Sequence, residues 1–407
     1  MRQVLDRVGD ASPCPPGAVR RFDRFLMVAA VVLAVATLVV FYILIGYPLI
    51  LAVLARRTVR PVKKDLSFQA GVSVLLAVHN GEEFLGRKLD SLLSLHYPQE
   101  LLEILVVSDG STDRTAAIAE SYVDRGVQLL PAPRGGKAAA LNLALGKATG
   151  EILFFTDVRQ PLQPDALAHL VANFADPTVG AVTGELRMLD PQRTGEQADM
   201  ELYWRYELWA RGCHSRIDSL FNTTGCIYAV RRSLVQPIPP DTLTDDAAIP
   251  LQTFFRGYRV IFDPDAIAFD YPTAEGGEFR RRMRTLAGLW QVHARIPQLF
   301  TSANRMRFHF LSHKFGRLVL PWAVLTVWIA TFALPASGFR TFLLTDELLL
   351  VVLATLDLFV RKGFLLKRIS SPARTFLAMN AAAVLALAVF FVDPATLWRP
   401  TKVKVRH

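Results

Sequence analysis

Residues 25–54 carry no charged side chain. A run that long and that apolar is stable as a helix in hydrocarbon, where every backbone polar group must be satisfied within the segment. It exceeds one bilayer span and is too short for two spans and a turn. The length predicts one tilted transmembrane helix within residues 25–55. A cleaved leader would start earlier and have a shorter apolar core. Residues 1–24 are polar and mixed in charge, with Pro15 and Pro16, and read as a flexible tail. After the block come Arg56, Arg57, Arg60, Lys63 and Lys64. Such a cluster holds the following domain on the cytoplasmic side.

The rest of the 407-residue chain is too long for one ordinary domain. Its 52% hydrophobic content fits membrane segments joined to a water-soluble part. The formal net charge is +10, and the basic residues gather beside the apolar blocks. That pattern matches an anionic leaflet and not a nucleic-acid stripe, so nucleic acid is not an expected partner. Cys14, Cys213 and Cys226 are scattered. They offer neither a disulfide framework nor a zinc site, which suits a cytosolic catalytic domain.

Residues 66–275 alternate strand and helix signals, the α/β pattern. Residues 71–78 form an apolar strand signal broken by His79-Asn80-Gly81. A helix follows from Glu82 to about Leu95, with Phe84, Leu85, Leu89, Leu92 and Leu93 at helical spacing. Residues 103–108 are a second apolar run, ending at Asp109-Gly110-Ser111-Thr112-Asp113. Further strand signals lie at 127–130, 151–156 and 179–186, with helices over 111–122, 138–145 and 164–174. Short right-handed crossovers make the sheet mostly parallel. Residues 195–217 mix aromatic and charged groups. They read either as an amphipathic helix packed on the sheet or as a surface for a sugar acceptor.

Residues 276–312 are basic with interleaved apolar residues, a pattern for an interfacial amphipathic segment. Residues 313–407 hold apolar blocks near 318–334, 343–360 and 376–391. Asp346, Glu347 and Asp357 lie near the ends of the middle one, where such acids cost least. The stretch 361–374 is strongly basic and hence cytoplasmic. One span before the domain and three after it would put the basic stretch 402–406 outside, against the charge rule. Either the last block is re-entrant or interfacial, or the count is off by one.

In open α/β sheets ligands bind beyond the carboxyl ends of the strands. Asp109 and Asp157 stand at such ends, and Asp245-Asp246 follow a loop. A single acid there is commonly a turn former or helix cap. Several together point to a polar, cation-binding site. A nucleotide diphosphate needs charge neutralisation, which a hard divalent cation on carboxylate oxygens supplies. Asp157 is the natural metal ligand, and Asp109 is placed for base or ribose. Arg134-Gly135-Gly136-Lys137 resembles a phosphate cradle at a helix amino terminus, although a Gly-Gly helix cap looks the same. Asp246 is placed as general base for an acceptor hydroxyl.

Ser73–Asn80, Val107–Asp113, Gly136–Asn142, Phe155-Thr156-Asp157 and Thr244-Asp245-Asp246, in that order, resemble family 2 inverting glycosyltransferases. The nearest branch is the membrane-embedded one of poly-N-acetylglucosamine, cellulose and hyaluronan synthases. The resemblance implies a GT-A type fold, Rossmann-like and mostly parallel, with flanking transmembrane helices, a UDP-sugar donor and Mg²⁺ or Mn²⁺. It assigns His79, Asn80, Glu82, Asp109, Gly110, Ser111 and Lys137 to the nucleotide. Asp157 goes to metal and diphosphate, and Asp246 to the base, with Thr244-Asp245-Asp246 standing for the family's T-E-D.

Two departures stand out. The D-x-D metal motif reads Asp157-Val158-Arg159, where Arg159 can itself neutralise diphosphate. The Q-x-x-R-W motif of the processive branch has no match. Arg281 and Arg284 stand in that stretch for the diphosphate-binding arginine, and the tryptophan comes only at Trp290.

The function that follows is a membrane-bound inverting glycosyltransferase of polysaccharide or glycolipid synthesis. Its partners are a UDP-sugar, a glycan or lipid-linked acceptor and membrane lipids, with an accessory export subunit left open. Its place is the cell inner, cytoplasmic membrane, multi-pass, with the catalytic domain cytosolic. A nucleotidyl or lipid-phosphate transferase and a nucleotide-sugar-binding protein without catalysis are the alternatives.

Overall fold

The computed structural model describes residues 16–188, 195–271, 277–361 and 364–392. The chain enters through α1 (Pro16–Phe41), a π-helical turn (Tyr42–Gly46) and α2 (Tyr47–Arg57), one continuous helical rod. The tail read as flexible to residue 24 is therefore helical from Pro16. Proline's fixed φ suits a first helical turn, where its missing N–H is not needed. Residues 1–15 lie outside the described residues.

The α/β part runs β1 (Val72–Val78), α3 (Glu82–Leu93), β2 (Leu102–Asp109), α4 (Thr115–Glu120), β3 (Val127–Ala132), α5 (Lys137–Lys147) and β4 (Ile152–Phe155). It continues through α6 (Ala166–Ala172), β5 (Val179–Met188), α7 (Gly195–Ile217), β6 (Tyr228–Arg231), α8 (Asp245–Phe255) and β7 (Arg259–Asp270). The seven strands lie in the order β3-β2-β1-β4-β6-β5-β7. β6 is antiparallel to both its neighbours, and every other pair is parallel. Strands buried on both faces read as unbroken apolar runs, which is why β1, β2 and β4 were legible. β6 is only four residues long, and β7 carries Asp263-Pro264-Asp265 at a register shift. Neither gives a clean strand pattern, and neither was expected.

One consequence positions the site. With β6 alone reversed, the carboxyl ends of the other six strands share one edge. His79, Asp109, Asp157 and Asp270 all stand at or just beyond that edge. One apolar layer packs β1, β2 and β4 against α5, α7, α8 and α2, where Tyr47 and Leu51 are fully buried. The other packs the sheet against α3 and α6.

Beyond the sheet come α9 (Gly277–Arg295), a short α10 (Arg307–His309), a π-helical turn (Phe310–Phe315), α11 (Gly316–Ala333), α12 (Gly338–Leu356) and α13 (Lys367–Leu385). Among the described residues three helical stretches are long and apolar enough to cross a membrane: Arg24–Arg57, Arg307–Ala333 and Lys367–Phe390. The middle carboxy-terminal block, expected as a span, is not one of them. Its helix α12 carries Arg340, Asp346 and Glu347 within 19 residues, and charged groups at that density oppose insertion.

Candidate active site

The centre of the site is an ammonium between two carboxylates. Lys137 opens α5, and its Nζ lies 2.9 Å from Asp157 Oδ1 and 3.1 Å from Asp245 Oδ1. Burial alone would lower its pKa, but the charges and hydrogen bonds of Asp157 and Asp245 hold it above its ordinary value. Asp245 is buried, and Tyr228 Oη donates to its Oδ2 at 3.1 Å. Tyr228 is held in turn by stacking on Phe155, with ring centroids 4.6 Å apart.

Asp246 follows at the first turn of α8. Its backbone carbonyl accepts from Thr223 N (2.7 Å) and Thr223 Oγ1 (2.9 Å), and its carboxylate lies against Gly225. That carboxylate takes no hydrogen bond among the described residues. Burial, then the charge of Asp245, pushes its pKa up to about 7, against the opposing pull of Lys137 and Arg211. An acid poised near neutrality and free of partners is suited to proton abstraction. Arg284 of α9 is half-buried in the field of Asp157 and Asp246, and burial lowers its pKa. The helix comes this close because residue 288 is glycine: a Cβ there would fall inside the Thr244 side chain. Gln291 adds two ties, accepting from Leu243 N (3.0 Å) and donating to Asp241 O (2.9 Å).

The residues expected to meet the nucleotide form a second group. His79 Nδ1 donates to the Asp109 carbonyl at 2.8 Å. Asn80, at φ +49, accepts from Thr112 N (2.8 Å), and Asn80 N donates to Ser111 Oγ (3.2 Å). Glu82 accepts from Arg114 N at 3.1 Å. Gly110 has φ +58, and a Cβ there would meet Arg134 N at 2.7 Å. The loops after β1 and β2 are thus stitched into one unit, with Asn80, Ser111 and Glu82 at its surface.

Three expectations need correction. Asp109 is buried, and its carboxylate is filled by Arg134 and by the N–H groups of Gly135 (2.7 Å) and Gly136 (3.0 Å). It holds the 134–137 turn and does not stand open toward a base or ribose. The same contact occupies the glycine amides read as a phosphate cradle. Arg159 is likewise engaged: its Nε and Nη2 each lie 2.8 Å from the carboxylate of fully buried Asp270. A bidentate pair of this kind fixes the guanidinium against the loop. Arg281 lies 4.0 Å from the same carboxylate. Trp290 turns away, donating to Ala383 O of α13 at 3.4 Å.

Sequence reasoning passed over Asp245's role, Tyr228, Asp270 and Lys88. Asp270 had the same signal as Asp109, an acid closing a strand, but its strand went unread. Lys88 falls on the apolar stripe of α3 with Leu85, Leu89 and Leu92. A charge on the buried face was the sign to follow.

The fold family implies a divalent cation. Asp157 Oδ1 faces Lys137, while Oδ2 makes no hydrogen bond among the described residues. Among the described residues, no group of three His, Cys, Asp or Glu side chains converges to hold a metal by itself. A small hard cation often takes one carboxylate and completes its shell with phosphate oxygens and water, and Asp157 fits that role.

Residues 73–238 match Glycosyl transferase family 2. A mannosyltransferase from Pyrobaculum calidifontis, solved with GDP-Man and Mn²⁺, superposes with a TM-score of 0.68 at 26% identity, covering 88% of this chain and 98% of that one. The probable glycosyltransferase YdaM of Bacillus subtilis is 26% identical over 251 residues, 59% of this chain and 60% of its own length. The poly-β-1,6-N-acetyl-D-glucosamine synthase of Staphylococcus aureus is 27% identical over 266 residues, 61% of each chain. The chain thus spans about three fifths of the length of these curated relatives. With this sheet, this row of carboxylates and these relatives, the chain carries a glycosyl transferase family 2 domain of GT-A fold, homologous to poly-β-1,6-N-acetyl-D-glucosamine synthase.

Proposed function

We propose that this chain is a membrane-bound inverting glycosyltransferase that moves a sugar from a nucleoside-diphosphate donor to a hydroxyl of a glycan or lipid-linked acceptor. The donor is a UDP-sugar by the family resemblance. One observation carries the reading: an unpartnered, near-neutral Asp246 stands beside the Asp245–Lys137–Asp157 bridge.

In the reaction, Asp246 accepts the proton of the acceptor hydroxyl as its oxygen bonds to the anomeric carbon. The bond from that carbon to the diphosphate oxygen breaks, and the electron pair leaves with the diphosphate. Lys137 and Arg284 face the negative charge that develops there. Asp157 would hold a Mg²⁺ or Mn²⁺ jointly with the donor's phosphates, and such a cation supplies Lewis-acid neutralisation of the leaving group. The three apolar helices support an integral membrane placement, with the sheet domain on the cytoplasmic side.

The test is nucleotide release by the chain in nanodiscs, offered UDP-glucose, UDP-N-acetylglucosamine, UDP-galactose, UDP-glucuronate and GDP-mannose with Mg²⁺, Mn²⁺ or chelator. Release from one donor, lost in Asp246→Asn while donor binding persists, supports transfer with Asp246 as base. Donor binding without release under every acceptor condition would favour a non-catalytic nucleotide-sugar binder.

A further inference from the structure

Lys88 is 1% exposed, in the middle of α3, between the sheet and the loop after β4. Its Nζ donates to Thr156 Oγ1 at 2.7 Å and to the Gln160 carbonyl at 2.6 Å. These two acceptors bracket the segment that carries Asp157 and Arg159. Thr156 Oγ1 passes the chain on, donating to the Cys226 carbonyl at 2.8 Å. Cys226 follows Gly225, the residue against which the Asp246 carboxylate lies. One buried ammonium therefore underlies both the donor loop and the cradle of the base. It also lines a small cleft with Phe84, Val158, Arg159 and Tyr271.

No carboxylate pairs with Lys88 among the described residues. A buried cation without a counter-ion is costly, and an apolar side chain of similar length would avoid that cost. Burial pushes its pKa down to about 7, with Cys226 and Asp157 pulling the other way. The side chain of Gln160, whose carbonyl takes one of these bonds, has its Oε1 buried without a partner among the described residues. Polar groups left uncompensated under a loop are complementary to a charge that arrives there later.

We propose that Lys88 is a positioning residue of the donor site, a buried amine whose two hydrogen bonds hold the Asp157 loop and whose ammonium form lends its charge to the donor's diphosphate. The inference rests on the donor reading above. It is tested on the full chain in nanodiscs, as wild type, Lys88→Met and Lys88→Gln. Calorimetric titration with UDP-N-acetylglucosamine and with GDP-mannose gives affinity, thermal unfolding gives stability, and initial rates with whichever donor turns over give KM and kcat. Both variants are expected to bind donor about tenfold or more weakly, to raise KM more than they lower kcat, and to melt within about 4 °C of wild type. A purely structural lysine would do the reverse, lowering the melting point and leaving affinity unchanged, and that result overturns the proposal. Wild-type affinity in Lys88→Gln overturns the role of charge. Wild type binding neither nucleotide sugar would sink the donor reading itself, and this inference with it.

Discussion

Asp246 and Asp245 adjoin in sequence and are chemically identical, yet the fold gives them different surroundings. Asp245 is hydrogen-bonded to Tyr228 and paired with Lys137, whereas Asp246 is left to its burial and its neighbour's charge. Two measurements follow. Transfer activity should rise with pH through a single ionisation near 7, because only the carboxylate can take the proton; a profile flat from pH 5 to 9 would remove Asp246 from that role. Stability should run the other way. The folded-state pKa lies above the unfolded value of about 3.8, so the protonated acid's contribution is complete below that value and lost as pH rises through about 7. Asp246→Asn, which never ionises, should therefore be inactive yet melt several degrees above wild type at pH 8, with the gap closing toward pH 4. A catalytic group that destabilises its own fold is a common trade-off.

At the scale of elements, α7 and α9 tie the carboxylate edge of the sheet to the apolar helices. On α7, Glu207 is buried against Lys314 Nζ (2.8 Å) of the π-helical turn 310–315 and Arg317 Nη2 (2.7 Å) of α11, with Arg211 Nε at 3.9 Å. Arg211 in turn donates to Thr224 Oγ1 at 2.7 Å, beside the base's cradle. The pattern of 195–217 reads as amphipathic, but its buried face is partly ionic. Removing one partner of a buried ion cluster leaves the others uncompensated, at about 3–5 kcal/mol. Glu207→Gln should lower the melting point in detergent clearly, and an unchanged midpoint would mean the cluster is solvated. On α9 the close approach at Gly288 is the weak point. Gly288→Ala must push the helix off Thr244, so transfer should fall about tenfold or more with donor binding less affected. Full activity in that variant would show that α9 does not need to seat against the base loop.

The whole molecule is one sheet domain set between helices that are apolar outward. α11 buries Leu318 against α9 and α13, while Ile329 and Phe332 are exposed, as a lipid-facing surface requires. With α12 outside the set, one candidate span precedes the domain and two follow it among the described residues. Two spans after the domain would return the basic stretch 402–406 to the side of the sheet, as the charge rule asks, and would put 361–374, at the junction between them, on the opposite side, against it. A reporter fused after residue 407 should be active on the cytoplasmic face; an external signal would restore a fourth span.

The strand and helix alternation, the positions of Asp109, Asp157 and Asp246, and the first apolar block were all legible along the chain. Each rests on local periodicity or on an acid closing an apolar run. The partnering of those acids was not. That Asp109 is consumed by Arg134 and the glycine amides, that Arg159 is claimed by Asp270, and that Lys137 bridges Asp157 to Asp245 depend on residues 20 to 111 positions apart. The reason is physical: a strand pattern is fixed by which faces are buried, within a few residues. The charge state and free valence of a site residue are set by whatever distant groups the tertiary fold brings within about 4 Å of it. The sequence alone placed the carboxylates along one edge; only the packing of β6, β7 and α9 decided which of them was left free to act.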